Sequence, residues 1–544
     1  MRDSEKKENG RWDREESTDK TIDIPSFVNG DSSENMEQNF EQNFYEEEPQ
    51  REEKKKKTAE KHVPKKVRNK AYIKMAYLFS TMFLALVGYL VYFNVKLTDD
   101  VKRNPNNTKG DAQEAYVIRG TIYSSDGEVL AGTNVADDNT ETRVYPWRNV
   151  FAHVVGYTVN GKSGLEAIYN NDLMTSNASI QDQVGSEKNN EKLRGDSLVL
   201  TLDSRLQQAA YNALGAYKGA VVVMEPSTGK ILAMVSKPDF DPNDMENQWE
   251  ILNADDSESP LLNRATQGLY PPGSTFKILT TLEFMREYPN DYRNYTYDCQ
   301  GSMTQSDVTI KCYDYEVHGF EDLQGSFQHS CNTSFANIGL QLDNDKFAEL
   351  CKEEMFNGKL PTVLPYSSSQ FSLNGDSSVG ETMQTAIGQG DTLVSPFHMA
   401  LIVSAVANDG VLMTPYFVDH IENSDGIEVS ETKTMEYKKL MNSDEAQILS
   451  SYMQSVVEGG TATSLSGLGY TVAGKTGSAE YEINGNTGSE ANFSTHSWFV
   501  GFSNVEDPDI VVSVIAEDGG TGSSAAVPIA REVFNTYYNS VKTY

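Results

Sequence analysis

Between Met75 and Val95 the chain runs for 21 residues without Asp, Glu, Lys, Arg or His. As a helix rising about 1.5 Å per residue, this stretch would reach roughly 31 Å, one hydrocarbon thickness. The pattern predicts a single transmembrane helix over 71–96. From Arg51 to Lys74 there are 11 basic and 3 acidic residues, an excess that puts the N-terminus in the cytoplasm and everything after the span outside. Residues 1–70 are rich in Glu, Asn, Lys and Ser and poor in aliphatic side chains. They cannot bury enough apolar area to offset the entropy of ordering, and read as a disordered cytoplasmic tail. After a polar linker from Thr98 to Gly110, Tyr116 to Thr133 alternates as two short strands about the turn Ser125-Asp126-Gly127. Residues 139–194 mix short apolar runs with Asn, Gly and Ser, so 97–194 reads as a small β-rich juxtamembrane module.

The texture then changes. Asp196 to Leu202 reads as a strand and Ser204 to Leu214 as a helix. Gly219 to Glu225 and Lys230 to Ser236 read as strands joined by the turn Pro226-Ser227-Thr228-Gly229. Strands recur only near the end, in Tyr470 to Tyr481, His496 to Ser503 and Asp509 to Glu517, before a closing helix from Ala525 to Val541. Strands at both ends of a helical, loop-rich middle imply an α+β domain over 195–544 whose sheet is assembled from distant segments.

Composition narrows the function. The 544 residues carry a net charge of −33, and the part from Lys96 onward holds 29 basic against 61 acidic residues. Such an acidic outer portion argues against nucleic acid as a partner. The seven His and four Cys show no CxxC, HxxxH or HExxH spacing, so no metal site or cofactor is expected. Cys299 and Cys312 flank a predicted hairpin outside the membrane, where a disulfide is compatible with the compartment, although separate thiols are the default. Cys331 reads as a small packing residue, and His318 and His496 as structural.

Three short motifs could carry chemistry. Ser274-Thr275-Phe276-Lys277 follows Tyr270-Pro271-Pro272-Gly273, whose prolines and glycine stop the preceding chain, so a helix can begin at or near Ser274. Ser274 and Lys277, three apart, then share a face. A hydroxyl needs a neighbour to take its proton, and a lysine can do so if burial or nearby positive charge lowers its pKa. Ser330-Cys331-Asn332 offers a second hydroxyl and an amide. Lys475-Thr476-Gly477 lies in a predicted strand, with Lys475 and Gly477 on one side, Thr476 on the other, and Gly477 leaving room for a substrate backbone. Each motif alone is weak, but their joint order beyond a membrane anchor is not.

The set S-x-x-K, S-x-N, K-[ST]-G resembles the serine penicillin-binding protein and β-lactamase superfamily. Asn263-Arg264-Ala265, Tyr270-Pro271-Pro272-Gly273, His318-Gly319, Gly388-Gln389-Gly390, Gly460-Thr461 and Trp498-Phe499-Val500-Gly501-Phe502 look like landmarks of its transpeptidase domain. Arg119-Gly120-Thr121-Ile122 and Gly164-Leu165-Glu166 are similar to the juxtamembrane module of class B penicillin-binding proteins. The resemblance spans roughly 70–544. It implies an antiparallel sheet flanked by helices plus an all-α subdomain, and a D,D-transpeptidase that cross-links peptidoglycan stem peptides and is acylated by β-lactam antibiotics.

Carried over residue by residue, the resemblance makes Ser274 the nucleophile, Lys277 its base, Ser330 a proton relay and Lys475 the group that keeps the site electropositive. Asn332 would hold Lys277 and a substrate amide, Thr476 would bind the terminal carboxylate, and the N–H groups of Ser274 and Ser478 would form the oxyanion hole. The cytoplasmic membrane and a SEDS-type glycosyltransferase are the implied partners. Competing expectations are hydrolysis, as a D,D-carboxypeptidase or β-lactamase, or a catalytically silent partner of such a glycosyltransferase.

Overall fold

The computed structural model describes residues 65–97, 101, 113–189, 191–483 and 492–542. The expected tail, apart from residues 65–70, and the expected linker, apart from Val101, lie outside these. The membrane-length run is one helix, Lys65–Tyr92, with an apolar span over Asn69–Val95 whose side chains are unburied. It begins before residue 71 because the Lys- and Arg-rich lead-in is itself good helix-forming sequence.

The module contains strands β1 (Val117–Ile118), β2 (Ile122–Tyr123), β3 (Val129–Val135) and β4 (Glu141–Val144), short helices, then β5 (Leu193–Arg194) and β6 (Ser197–Leu200). The β2–β3 hairpin forms around the expected turn. Buried Glu166 takes Arg119 Nε at 2.6 Å, Arg143 Nε at 2.7 Å and Tyr145 OH at 3.2 Å. Burial acts to raise its pKa, and the two guanidiniums more than reverse this, leaving the carboxyl below its ordinary range. The landmarks Arg119 and Glu166, 47 residues apart, are thus two halves of one ion pair.

Beyond residue 214, where the helix Ser204–Leu214 ends, come β7 (Gly219–Met224) and β8 (Ile231–Lys237), as expected. The middle supplies β9 (Thr296–Cys299), β10 (Ser302–Gln305), β11 (Val308–Lys311) and β12 (Gly319–Asp322). Further on lie β13 (Val411–Met413), β14 (Val418–Glu422), β15 (Glu428–Glu431) and β16 (Glu436–Lys439). The end supplies β17 (Val472–Ile483), β18 (Asn492–Ser503) and β19 (Val511–Ala516). The main sheet has the order β17-β18-β19-β7-β8 and is antiparallel throughout, so the two ends of the sequence close one sheet. The all-buried helix Pro396–Ala407 and the helix Ala526–Thr536 both pack against β18 and β19. A second sheet, β15-β14-β6-β2-β3-β4, takes strands from both sides of residue 194. One apolar core accordingly joins Ile122 and Leu165 to Leu206, Phe397 and Phe534.

Glu354 lies in the helical region fully buried, with neither carboxylate oxygen hydrogen-bonded among the described residues. Burial pushes its pKa up to about 8. The native carboxyl therefore holds a proton that the unfolded chain releases above about pH 4.5. The stability that proton contributes is complete below that pH and is lost as pH rises through 8. The slope is at most about 1.4 kcal/mol per pH unit. Glu354→Gln, which fixes the neutral form, should flatten the decline of Tm between pH 5 and 8 in scanning calorimetry. A decline parallel to the parent's would refute this.

Candidate active site

The serine-bearing turn is built by close backbone approach. Pro271 and Pro272 lack N–H groups, and Gly273 takes φ +53°, so the chain enters through a 3-10 turn, Gly273–Phe276, and the regular helix starts only at Lys277. Ser274 therefore precedes the α-helix proper, a small departure from the sequence expectation. Trp498 Nε1 donates to Pro271 O at 3.0 Å, and Gly273 N donates to Gly388 O at 2.8 Å. A Cβ on Gly477 would stand 2.9 Å from Pro272 O and 3.0 Å from Thr275 Cγ2. Gly477 thus admits the Ser274 turn against β17. Ser274 itself is half-buried.

Four of the expected side chains meet. Lys277 Nζ donates to Ser330 O and Asn332 Oδ1, each at 2.7 Å, and lies 3.2 Å from Ser330 Oγ. Lys475 Nζ approaches the same Oγ at 2.9 Å and donates to Thr476 O at 3.3 Å. Ser330 holds φ +59°, the left-handed region that costs a side-chain-bearing residue about 1 kcal/mol or more. It sits between the helices Leu323–Gln328 and Asn332–Gly339. The Phe335 ring lies 5.2 Å from Lys277 Nζ, and the Phe327 ring 5.6 Å from Lys475 Nζ.

Both lysines are completely buried. Removal from water pushes Lys277 down to about 8. Burial, and then the charge of Lys277, push Lys475 well below its ordinary value. An ammonium only donates, whereas a neutral amine can accept a hydroxyl proton. With two amines on one hydroxyl and little water, one neutral member is the low-energy arrangement, and proton transfer through Ser330 Oγ becomes accessible.

The remaining expected residues have other contacts. Thr476 Oγ1 is 2.5 Å from Thr461 Oγ1, and Ser478 Oγ accepts from Gly522 N at 3.2 Å. His496 stacks on Tyr481 with centroids 4.3 Å apart and meets Tyr270 edge-on, a packing role. The cysteines are neither paired nor dispersed. All four are free thiols, and Cys299, Cys312 and Cys331 gather with His318 in one cluster. Sequence reasoning missed this cluster because its members are separated by 12, 5 and 12 intervening residues. It also missed Thr461 as a hydroxyl partner of Thr476; the Gly460-Thr461 landmark was the available signal.

Residues 219–535 match the penicillin-binding protein transpeptidase domain, and 119–198 match the penicillin-binding protein A dimerisation domain. The chain belongs to the penicillin-binding protein transpeptidase family. A curated relative, peptidoglycan D,D-transpeptidase PbpA of Mycolicibacterium smegmatis, is 30% identical over 490 residues, covering 85% of this chain and 98% of the relative. Stage V sporulation protein D of Bacillus subtilis is also 30% identical, over 74% of this chain and 64% of that one. Among solved structures, the ceftriaxone acyl-enzyme complex of penicillin-binding protein A from M. tuberculosis superposes with TM-score 0.71 at 28% identity, covering 78% of this chain and 99% of that one. The family's transpeptidase fold is the α+β architecture expected from the sequence.

Proposed function

We propose that this chain is a membrane-anchored, serine-type peptidoglycan D,D-transpeptidase, with its N-terminus in the cytoplasm and its catalytic domain outside. The observation that carries the reading is Ser330 Oγ held between Lys475 Nζ at 2.9 Å and Lys277 Nζ at 3.2 Å, with Lys277 three residues after Ser274 at the end of the same 3-10 turn. Relatives that share the fold over most of their length are named D,D-transpeptidases, and one solved relative is a β-lactam acyl-enzyme, which supports the same assignment.

In this reading the terminal carboxylate of a bound stem peptide keeps Lys475 charged, so Lys277 is the neutral amine of the pair and takes the Ser274 hydroxyl proton as Oγ attacks the carbonyl between the last two D-alanines. The carbonyl oxygen gains the negative charge, and the N–H groups of Ser274 and Ser478 receive it, a contribution of roughly 2.7 to 4 kcal/mol per donor. Collapse breaks the C–N bond. The proton passes through Ser330 Oγ to the departing D-alanine amine, leaving an ester on Ser274. Thr476 and Lys475 hold the terminal carboxylate, and Asn332 orients Lys277. An amine of a second stem peptide then attacks the ester, loses its proton to the same relay and restores the serine.

A membrane-impermeant fluorescent penicillin applied to intact cells should label the full-length chain, and intact mass should show one adduct per chain. Ser274→Ala should show none. Labelling that persists in Ser274→Ala, or occurs only after the cells are broken, would overturn the nucleophile or the orientation respectively.

A further inference from the structure

Cys299 ends β9, Cys312 follows β11, His318 precedes β12, and Cys331 lies between the two proposed active-site residues Ser330 and Asn332. Their ligand atoms all lie within 4.8 Å of one another. Sγ of Cys299 and Sγ of Cys312 are 3.7 Å apart, Sγ of Cys312 and Sγ of Cys331 3.8 Å, and Sγ of Cys299 and Nδ1 of His318 3.4 Å. A tetrahedral Zn²⁺ with Zn–S about 2.3 Å and Zn–N about 2.0 Å requires S···S edges of about 3.8 Å and S···N edges of about 3.5 Å. A disulfide would need about 2.05 Å and could employ only two of the three sulfurs.

The surroundings also suit a metal. Gly301 N donates to Cys299 Sγ at 3.4 Å, and Thr333 Oγ1 donates to the same sulfur at 3.2 Å and lies 3.4 Å from Cys331 Sγ. His318 turns Nδ1 to the sulfurs, and its Nε2 lies 3.7 Å from the Glu316 carboxylate, outside hydrogen-bond distance but on the side where metal-bound histidines take an outer carboxylate partner. The His329 ring lies parallel to it at 5.8 Å. All three cysteines are buried and no further side chain is needed, so the set resembles a closed structural site rather than a catalytic one.

We propose that Cys299, Cys312, Cys331 and His318 bind one Zn²⁺ that ties the β9–β12 hairpins to the Ser330–Asn332 turn. Binding releases the thiol protons and leaves three thiolates and a neutral imidazole around the ion. Cys331 is then a positioning residue. The metal fixes its backbone, and so sets the left-handed Ser330 on one side and Asn332 on the other, whose Nδ2 donates to Lys311 O at 2.9 Å. The positioning claim rests on the transpeptidase reading; the metal site does not.

The test is the metal content of the full-length chain, purified in detergent under reducing conditions from cells supplied with zinc. One zinc per chain is expected in the parent and in Cys351→Ser, whose thiol lies outside the cluster; Cys312→Ser and His318→Gln should lose it. Cobalt supplied in place of zinc should give a thiolate-to-cobalt charge-transfer band in the parent, a readout that needs no variant to fold. Stripping zinc with a chelator should slow penicillin acylation by about 10- to 100-fold, restored on adding zinc back. A zinc-free parent, a Cys299–Cys312 disulfide in its peptide map, or unchanged zinc in both variants would overturn the site. Acylation unchanged after zinc is removed would overturn the positioning role alone.

Discussion

Exchanging Lys277 for arginine is expected to lower the rate of acylation by a fluorescent penicillin by about 10³-fold, within the range for loss of a general base. The substitution keeps the positive charge and the reach to Asn332 Oδ1 and Ser330 O, but a guanidinium cannot surrender its proton near neutral pH. The experiment therefore separates proton acceptance from simple charge. The parent should be slow at pH 6 and gain roughly tenfold per unit until it levels near pH 8, where burial has brought the Lys277 amine. The sign follows from the role, since only the deprotonated amine accepts the serine proton. Arginine should leave a flat, low profile. A variant that keeps a tenth of the parent rate, or a parent indifferent to pH, would remove Lys277 from the role of base.

The second large effect is at a position without a side chain. Gly388 has φ +76°, and a Cβ there would stand 2.0 Å from Gly273 O and 2.8 Å from Phe276 Cβ. Neither atom can yield without moving the turn that carries Ser274. Gly388→Ala should slow acylation by about 10²-fold or more, the usual consequence of displacing a reacting group by about 1 Å. It should also lower Tm, because the left-handed backbone and the clash add about 1 to 3 kcal/mol of strain. Gly469→Ala, where a Cβ would meet nothing within 4 Å, is the control and should change neither. Parent-like acylation in Gly388→Ala would show that the turn tolerates displacement.

The parts of the site that were legible in the sequence are those in which local order carries the chemistry. S-x-x-K, S-x-N and K-T-G each hold two functional groups within four residues, and the fold had only to bring three short segments together. Three of the end strands were equally clear, because β7, β19 and the 498–502 half of β18 are nearly continuous apolar runs. What escaped depends on pairing between distant segments. Nothing in Val418–Glu422 announces that β14 lies against β6, more than 200 residues earlier. Three ligand-type side chains at strand ends and a fourth between two helices carry no short-motif signature, although the pairing of Gly319 with Cys299 places two of those strand ends side by side. The left-handed Ser330 is set by the two helices it joins, not by serine's own preference.

The strand β6 has a consequence for anyone who would dissect the molecule. It pairs with β2 on one side and β14 on the other, and Leu198 and Leu200 are wholly covered. A chain cut at residue 195 would keep β6 but lose its β2 neighbour, leaving a raw ladder of unpaired amides beside bared leucines and inviting self-association. Fragments of this protein should begin upstream of Val117, so that the small module travels as the lid on that edge.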